Sequence, residues 1–197
     1  MTDITDWLDR TSREVGRRPT PEGQARVLLL RRHCPAPVPE VWDACTEPDH
    51  LKRWFRPVTG DLRLGGSFHF DDRTGGEILR CEPPNLLGVT WGYGKEASSE
   101  VILRLAPGEG DTTALELEHG PLPDEVSVNG STVDPVVQDA PAGAFGLGAR
   151  WEMVLHFLER YLRGEPTEDP AQWEASAAGQ EFGRRGADAW RSVVAGA

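Results

Sequence analysis

The stretch PVPEVWDACTEPDHLKRWF, residues 37–55, decides the fold. Proline has a fixed φ and no N–H to lose, so Pro39 suits the first turn of a helix. That helix, EVWDACT, stops near Glu47, because Pro48 opens a second short helix, DHLKRWF. Before them, ARVLLLRRHC is a β-rich apolar run closed by PAPVP, which sets a first strand over about residues 25–34. A strand followed by two small helices in series is therefore the opening of the core.

From Asp61 to His119 the pattern changes to a period of two, interrupted by turn signals at LGG, DDRTGG, EPPN, GYGKE and APGEGD. The pieces are 61–64, 67–71, 76–82, 86–93, 99–106 and 112–119, an antiparallel meander of six strands. Val101, Leu103 and Leu105 alternate with Glu100 and Arg104, as Leu115 and Leu117 do with Glu116 and Glu118, so one face is buried and the other wet. Residues 120–144 hold four prolines and no periodicity, which predicts a long surface loop. FGLGARWEMVLHFLERYLRG is then the strongest helix of the chain. Leu147, Trp151, Val154, Leu155, Phe157, Leu158, Tyr161 and Leu162 form its apolar arc, with Glu152, His156, Glu159, Arg160 and Arg163 opposite. His156 stands one turn after Glu152, the spacing of a surface pair. Gly164 and Pro166 end this helix.

Outside the core, Ile4, Trp7, Leu8, Thr11 and Val15 have helical spacing, so residues 1–22 read as a helical extension ending in a linker, RRPTPEG. In the tail, Asp169 caps a helix with Pro170 at its first position, and Phe182, Gly186, Ala189, Trp190 and Val193 form a helical stripe. The implied division is 1–22, a core of 23–164, and a helical extension of 165–197.

One packing solution satisfies this order: a curved seven-stranded antiparallel sheet wraps the apolar arc of the long helix, with the two short helices after strand one. This is an α+β helix-grip. The motifs APVPEVWDACTEPDHLKRWF, LGGSFHF, GGEILRCEPPNLLGVTW, TTALELEHG and GLGARWEMVLHFL resemble, in order, the heat-shock protein 90 ATPase activator homologue-like branch of the START-like, or SRPBCC, superfamily. The resemblance spans roughly residues 26–163, and the terminal segments look like those of elongated members of the branch. The aspartate usual before the second short helix is Glu47 here, a weaker cap. The resemblance implies an internal cavity between helix and sheet, used across the superfamily for sterols, lipids, polyketides and hormones, and by some members for cyclase or dehydratase chemistry. Fold alone names no reaction.

Composition limits the alternatives. The 197 residues suit one domain with appendages, and the net charge of −11 with no long basic run argues against a phosphate-backbone partner. The longest apolar run, Val27–Leu30, is far short of the roughly 20 residues of a membrane span, and MTDITDWLDR has no secretory character, so a cytoplasmic location is expected. Cys34, Cys45 and Cys81 match neither a disulfide framework nor a metal pair and read as reduced thiols. The five histidines lack metal-ligand spacing; His69 and Asp71 share a strand face, but two ligands make no site. No nucleophile or phosphate-loop motif is present in the sequence, and no metal or cofactor is expected.

Strand parity then gives a cavity lining. If the leucines of the last two strands point inward, so do Leu103, Leu117, His119, Val89, Trp91 and Tyr93. In GGEILRC the inward set is either Ile78 with Arg80 or Glu77, Leu79 and Cys81. The second is more apolar and draws Glu77 to the cavity mouth. Phe68 and Phe70 complete the sheet side, Trp54 and Phe55 reach in from the second short helix, and Leu147, Trp151, Val154, Leu155 and Leu158 form the long-helix side. Glu77, His119 and Tyr93 are the acid–base candidates, provided two of them share one pocket.

Three functions follow as expectations. The first is a binder of a small hydrophobic molecule, acting as monomer or homodimer. The second is a cyclase- or dehydratase-type enzyme. The third is a chaperone-linked interaction module, the role that the family name suggests.

Overall fold

The computed structural model describes residues 4–20, 23–70, 74–93, 96–128, 130–137 and 145–197. The chain opens with a short helix, α1 (Ile4–Asp9), and then forms the strands β1 (Ser12–Thr20) and β2 (Gly23–Cys34). Two helices follow, α2 (Val38–Thr46) and α3 (Pro48–Trp54). The meander is β3 (Val58–Gly60), β4 (Ser67–Phe70), β5 (Thr74–Glu82), β6 (Leu86–Tyr93), β7 (Glu96–Pro107) and β8 (Thr113–Leu122). A small hairpin, β9 (Val126–Val128) and β10 (Ser131–Val133), precedes α4 (Leu147–Leu162), α5 (Pro170–Ala175) and α6 (Ala177–Ala195).

The main sheet is antiparallel throughout, in the order β1-β2-β8-β7-β6-β5-β4-β3, and α4 packs on its inner face. This is the helix-grip expected from the order of elements, with eight strands in place of seven. The added strand corrects the reading of residues 1–22 as helix and linker. After the six residues of α1, SREVGRRPT pairs along its whole length with β2, from Ser12 opposite Arg31 to Thr20 opposite Gly23. It is an edge strand, where Pro19 removes no interior ladder bond. The strand expected at 61–64 is a turn closed by Gly65 at φ 78°, and the strand lies just before it, at β3. Part of the expected loop 120–144 extends β8 and forms the β9–β10 hairpin; residues 138–144 lie outside the described set.

The two short helices hold together through their sequence. Pro37 precedes α2 and Pro48 begins α3, while Glu47 between them makes no side-chain cap. Val41, Trp42 and Ala44 bury the inner side of α2, and the Trp54 indole donates to the Ala44 carbonyl at 2.9 Å, locking the angle between the helices.

The largest departure from expectation lies behind α4. Most of its polar face is withdrawn from solvent: α1, β1, α5 and α6 cover Glu152, His156 and Glu159, and only Arg163 at the end of the helix is exposed. Asp169 caps α5 through the Gln172 N–H at 3.0 Å, and Ser176 caps α6 through the Gly179 N–H at 3.1 Å. Phe182, Gly183, Gly186, Ala187 and Trp190 of α6 are buried. The helices cross closely because Gly148 of α4 and Gly186 of α6 lack side chains. A Cβ at Gly148 would lie 2.5 Å from Trp190 Nε1, and one at Gly186 2.8 Å from Glu152 Oε2. Glu152 is fully buried and Glu159 5% exposed. His156, expected in a surface pair, is half-buried among Trp7, Trp173 and Phe182, with ring centroids 5.3–5.5 Å away.

Candidate functional site: a cavity walled by aromatic rings

Between the other face of α4, the pair α2–α3 and the inner face of the sheet lies a cavity of about 340 Å³. Its size and lining are those of a small-molecule pocket. One wall is a run of rings in edge or tilted contact: Trp54 to Phe55 at 5.6 Å, Phe55 to Phe70 at 5.2 Å, Phe70 to Trp91 at 5.8 Å and Trp91 to Trp151 at 5.3 Å. Phe68 branches from the run against both Phe70 and Trp91. Most of the rest of the lining is aliphatic, with Val89, Val101, Leu103, Leu115 and Leu117 of the sheet and Val154, Leu155 and Leu158 of α4. Trp42, Cys45, Thr46, Glu47 and Leu51 close the end formed by the short helices.

Most of the lining expected from the sequence meets here: Trp54, Phe55, Phe68, Phe70, Trp91, Leu103, Leu117, Trp151, Val154, Leu155 and Leu158. Leu79 does not. It is 39% exposed, and Glu77 beside it is exposed with its N–H bound to Thr90 Oγ1. The reason is a register shift in β5 between Ile78 and Arg80. Ile78 points inward, the irregularity absorbs a residue, and Cys81 points inward again. Neither of the two parities considered from sequence was correct for the whole strand. Leu147 is half-buried and outside the lining. The Tyr93 side chain lies outside the described residues, although its backbone ends β6 opposite Glu96.

His119 is buried behind the wall rather than in it. Its Nδ1 accepts the Trp151 indole N–H at 2.8 Å, which places the ring proton on Nε2, 2.7 Å from Ser99 Oγ. Ser99 in turn donates to the Trp91 carbonyl at 3.0 Å. Burial lowers the His119 pKa to about 4, so the imidazole is neutral. Both nitrogens are engaged, and the residue braces Trp151 and the Trp91 backbone. With Glu77 outside and His119 behind the wall, no two of the three acid–base candidates share the cavity.

The sequence reading did not include Trp42, Cys45, Thr46, Glu47 and Leu51 of the short helices or Leu87; it set Ile78 aside for the alternative parity, while Cys81, in the preferred inward set, does line the cavity. All three cysteines are free, and burial pushes the thiol of Cys34 up to about 12 and raises that of Cys45 as well. No group of three or more metal-ligating side chains gathers among the described residues, and none of their helices is long and apolar enough to cross a membrane. A second depression, of about 640 Å³ and more polar, runs between the end of α3 and the segment entering α5, lined by Arg53, Arg56, Glu168 and Asp169 among others.

Comparison with known proteins fits this architecture. Proteins of curated function give no match. Among solved structures, CalU16 from Micromonospora echinospora is 38% identical. Its crystal structure aligns with a TM-score of 0.70 over 93% of this chain and 98% of that one, and its solution structure with 0.72. DynU16, a protein of the dynemicin biosynthetic locus, is 27% identical with a TM-score of 0.52, over 71% of this chain and 48% of that one. The protein encoded by gene BPP1335 of Bordetella parapertussis, 23% identical with a TM-score of 0.55 over 88% of this chain and 93% of its own, shares the fold. The model of the "Activator of Hsp90 ATPase homolog 1-like protein" family matches residues 35–163, the span from the end of β2 to the end of α4. The chain therefore belongs to the activator of Hsp90 ATPase homolog 1-like family, in the START-like superfamily, and has the helix-grip fold of its relatives.

Proposed function

We propose that this protein binds a small hydrophobic molecule inside the grip. The observation that carries the proposal is the 340 Å³ cavity with an unbroken aromatic wall. At roughly 24 cal/mol per Å³, an enclosed void of that size forgoes up to about 8 kcal/mol of packing, comparable with the whole stability of a domain. The opening to solvent reduces this figure, but a cavity kept at such cost is economically explained by an occupant. DynU16's locus of origin adds that a relative is associated with biosynthesis of a natural product, which makes polyketide-like skeletons reasonable compounds to test.

The neutral dye N-phenyl-1-naphthylamine tests the proposal. Its fluorescence should rise on binding to the native protein, and Leu117→Trp, which fills the cavity from the sheet, should abolish the rise while the protein stays folded by circular dichroism. An equal rise in the filled variant would place the dye elsewhere and count against the proposal.

A further inference from the structure

We propose that the ligand is a planar polycyclic aromatic amine, its rings laid along the aromatic wall and its ammonium group at the cavity mouth against Glu47. This rests on the ligand-binding role proposed above and adds the charge and shape of the occupant.

Shape follows from the wall. Seven of the lining side chains are aromatic: Trp42, Trp54, Phe55, Phe68, Phe70, Trp91 and Trp151. Flexible acyl chains gain nothing special from such a surface, whereas flat rings add offset or edge contacts to area burial. Charge follows from what the lining offers to an ion. Among the described residues it contains no lysine, arginine or histidine, so a carboxylate or phosphate entering it would be desolvated without a counter-charge. Arg56 lies against Phe55, 6.0 Å from the ring centroid, but outside the lining. The lining has one carboxylate, Glu47. It joins α2 to α3, is both exposed and part of the cavity boundary, and therefore stands at the opening. Its side chain caps neither helix and forms no ion pair among the described residues. Trp42 and Trp54 of the flanking helices share the lining with Glu47, and aromatic rings favour a cation over an anion. An ammonium group at the mouth is thus met by a carboxylate in a lining rich in aromatic rings, and an anion by no counter-charge.

The test uses one three-ring skeleton with three substituents: 9-(aminomethyl)anthracene as the ammonium, 9-anthracenemethanol as the neutral reference and anthracene-9-carboxylate as the anion. Affinities are measured by calorimetry on the native protein, on Glu47→Gln and on Glu109→Gln. Glu109 is an exposed loop residue outside the cavity, so its variant removes the same charge from a net −11 without touching the site. The ammonium should bind about tenfold more tightly than the carboxylate, a ratio that Glu47→Gln reduces to about threefold or less and Glu109→Gln leaves unchanged. Equal reduction by both variants would show a general attraction of cations to an acidic protein and would overturn the role of Glu47. Binding of the alcohol with no preference for the ammonium would overturn the charge assignment and leave the ligand-binding role standing. Failure of all three to bind would remove both.

Discussion

The two faces of α4 are built on opposite terms. The front face presents Trp151, Val154, Leu155 and Leu158 to a cavity, apolar side chains with space before them. The back face presents Glu152, His156 and Glu159 to the terminal segments, the two carboxylates packed until almost no water reaches them and the imidazole half-buried between rings. There, Glu159 Oε2 accepts from Arg32 Nε at 2.8 Å, from Arg32 Nη2 at 2.5 Å and from the Trp7 indole at 2.8 Å, while Oε1 accepts from Arg163 at 2.6 Å. The Arg32 guanidinium also lies 3.8 Å over the Trp7 ring and donates to the Trp7 carbonyl and Thr11 Oγ1. Directional contacts are concentrated behind the helix, and they hold it in place while the side facing the cavity is incompletely filled.

Breaking the back face should give the largest effect. Glu159→Ala leaves Arg32 buried without its carboxylate and should cost about 3–5 kcal/mol in urea unfolding. A cost below about 1 kcal/mol would mean that the ion pair is effectively solvated and the contrast between the faces is false. Next come paired truncations of one apolar group on each side. Phe182→Ala removes a fully buried ring from the cluster with Trp7, Trp173 and His156 and should cost about 3–5 kcal/mol. Val154→Ala, at the cavity wall, should cost about 1 kcal/mol or less, because the neighbouring space is already open. Costs of Val154→Ala in the range expected for Phe182→Ala would show that the front is packed as tightly as the back.

The smallest effect concerns pH. Burial pushes the Glu152 carboxyl up from 4.5 to about 7, against the pull of Arg13, whose Nε donates to Glu152 Oε1 at 2.5 Å. The second carboxylate oxygen has no well-formed hydrogen bond, and neither has the indole of Trp190. The folded protein therefore holds a proton between pH 4.5 and about 7 that the unfolded chain has released. This group's contribution is fully present below 4.5 and is lost as pH rises through 7. His119 and His156, both lowered by burial from 6.5 to about 4, act in the opposite sense: their contribution is present above 6.5 and is lost as pH falls towards 4. The stability difference between the native protein and Glu152→Gln isolates the carboxyl. It should move against the native protein from pH 4.5 to 7 and be constant above; a difference flat across the whole range would show that Glu152 stays ionised.

The contrast also marks what the sequence could disclose. The prolines of residues 37–55 and the alternation in β7 and β8 are local signals, and they delivered the order of elements and most of the lining. The register shift in β5 was invisible because inserting one residue changes which side chains face inward while leaving the composition of GGEILRC untouched. Strand β1 was hidden because an edge strand half in water has little apolar alternation, and SREVGRRPT shows none. The polar back of α4 was legible as polar but not as buried, because burial there depends on a tail that folds back across the chain. Arg13, Arg32 and Glu159 could have been noticed as charges with no local partner, yet nothing in their spacing pairs them.

The seven tryptophans divide along the same line, and this gives the most direct measurement. Trp42, Trp54, Trp91 and Trp151 line the cavity, whereas Trp7, Trp173 and Trp190 lie behind α4. In a ¹H–¹⁵N correlation spectrum with assigned indole N–H peaks, N-phenyl-1-naphthylamine should shift the first four and leave the other three in place. Shifts confined to Trp7, Trp173 and Trp190, or spread evenly over all seven, would contradict a ligand site inside the grip.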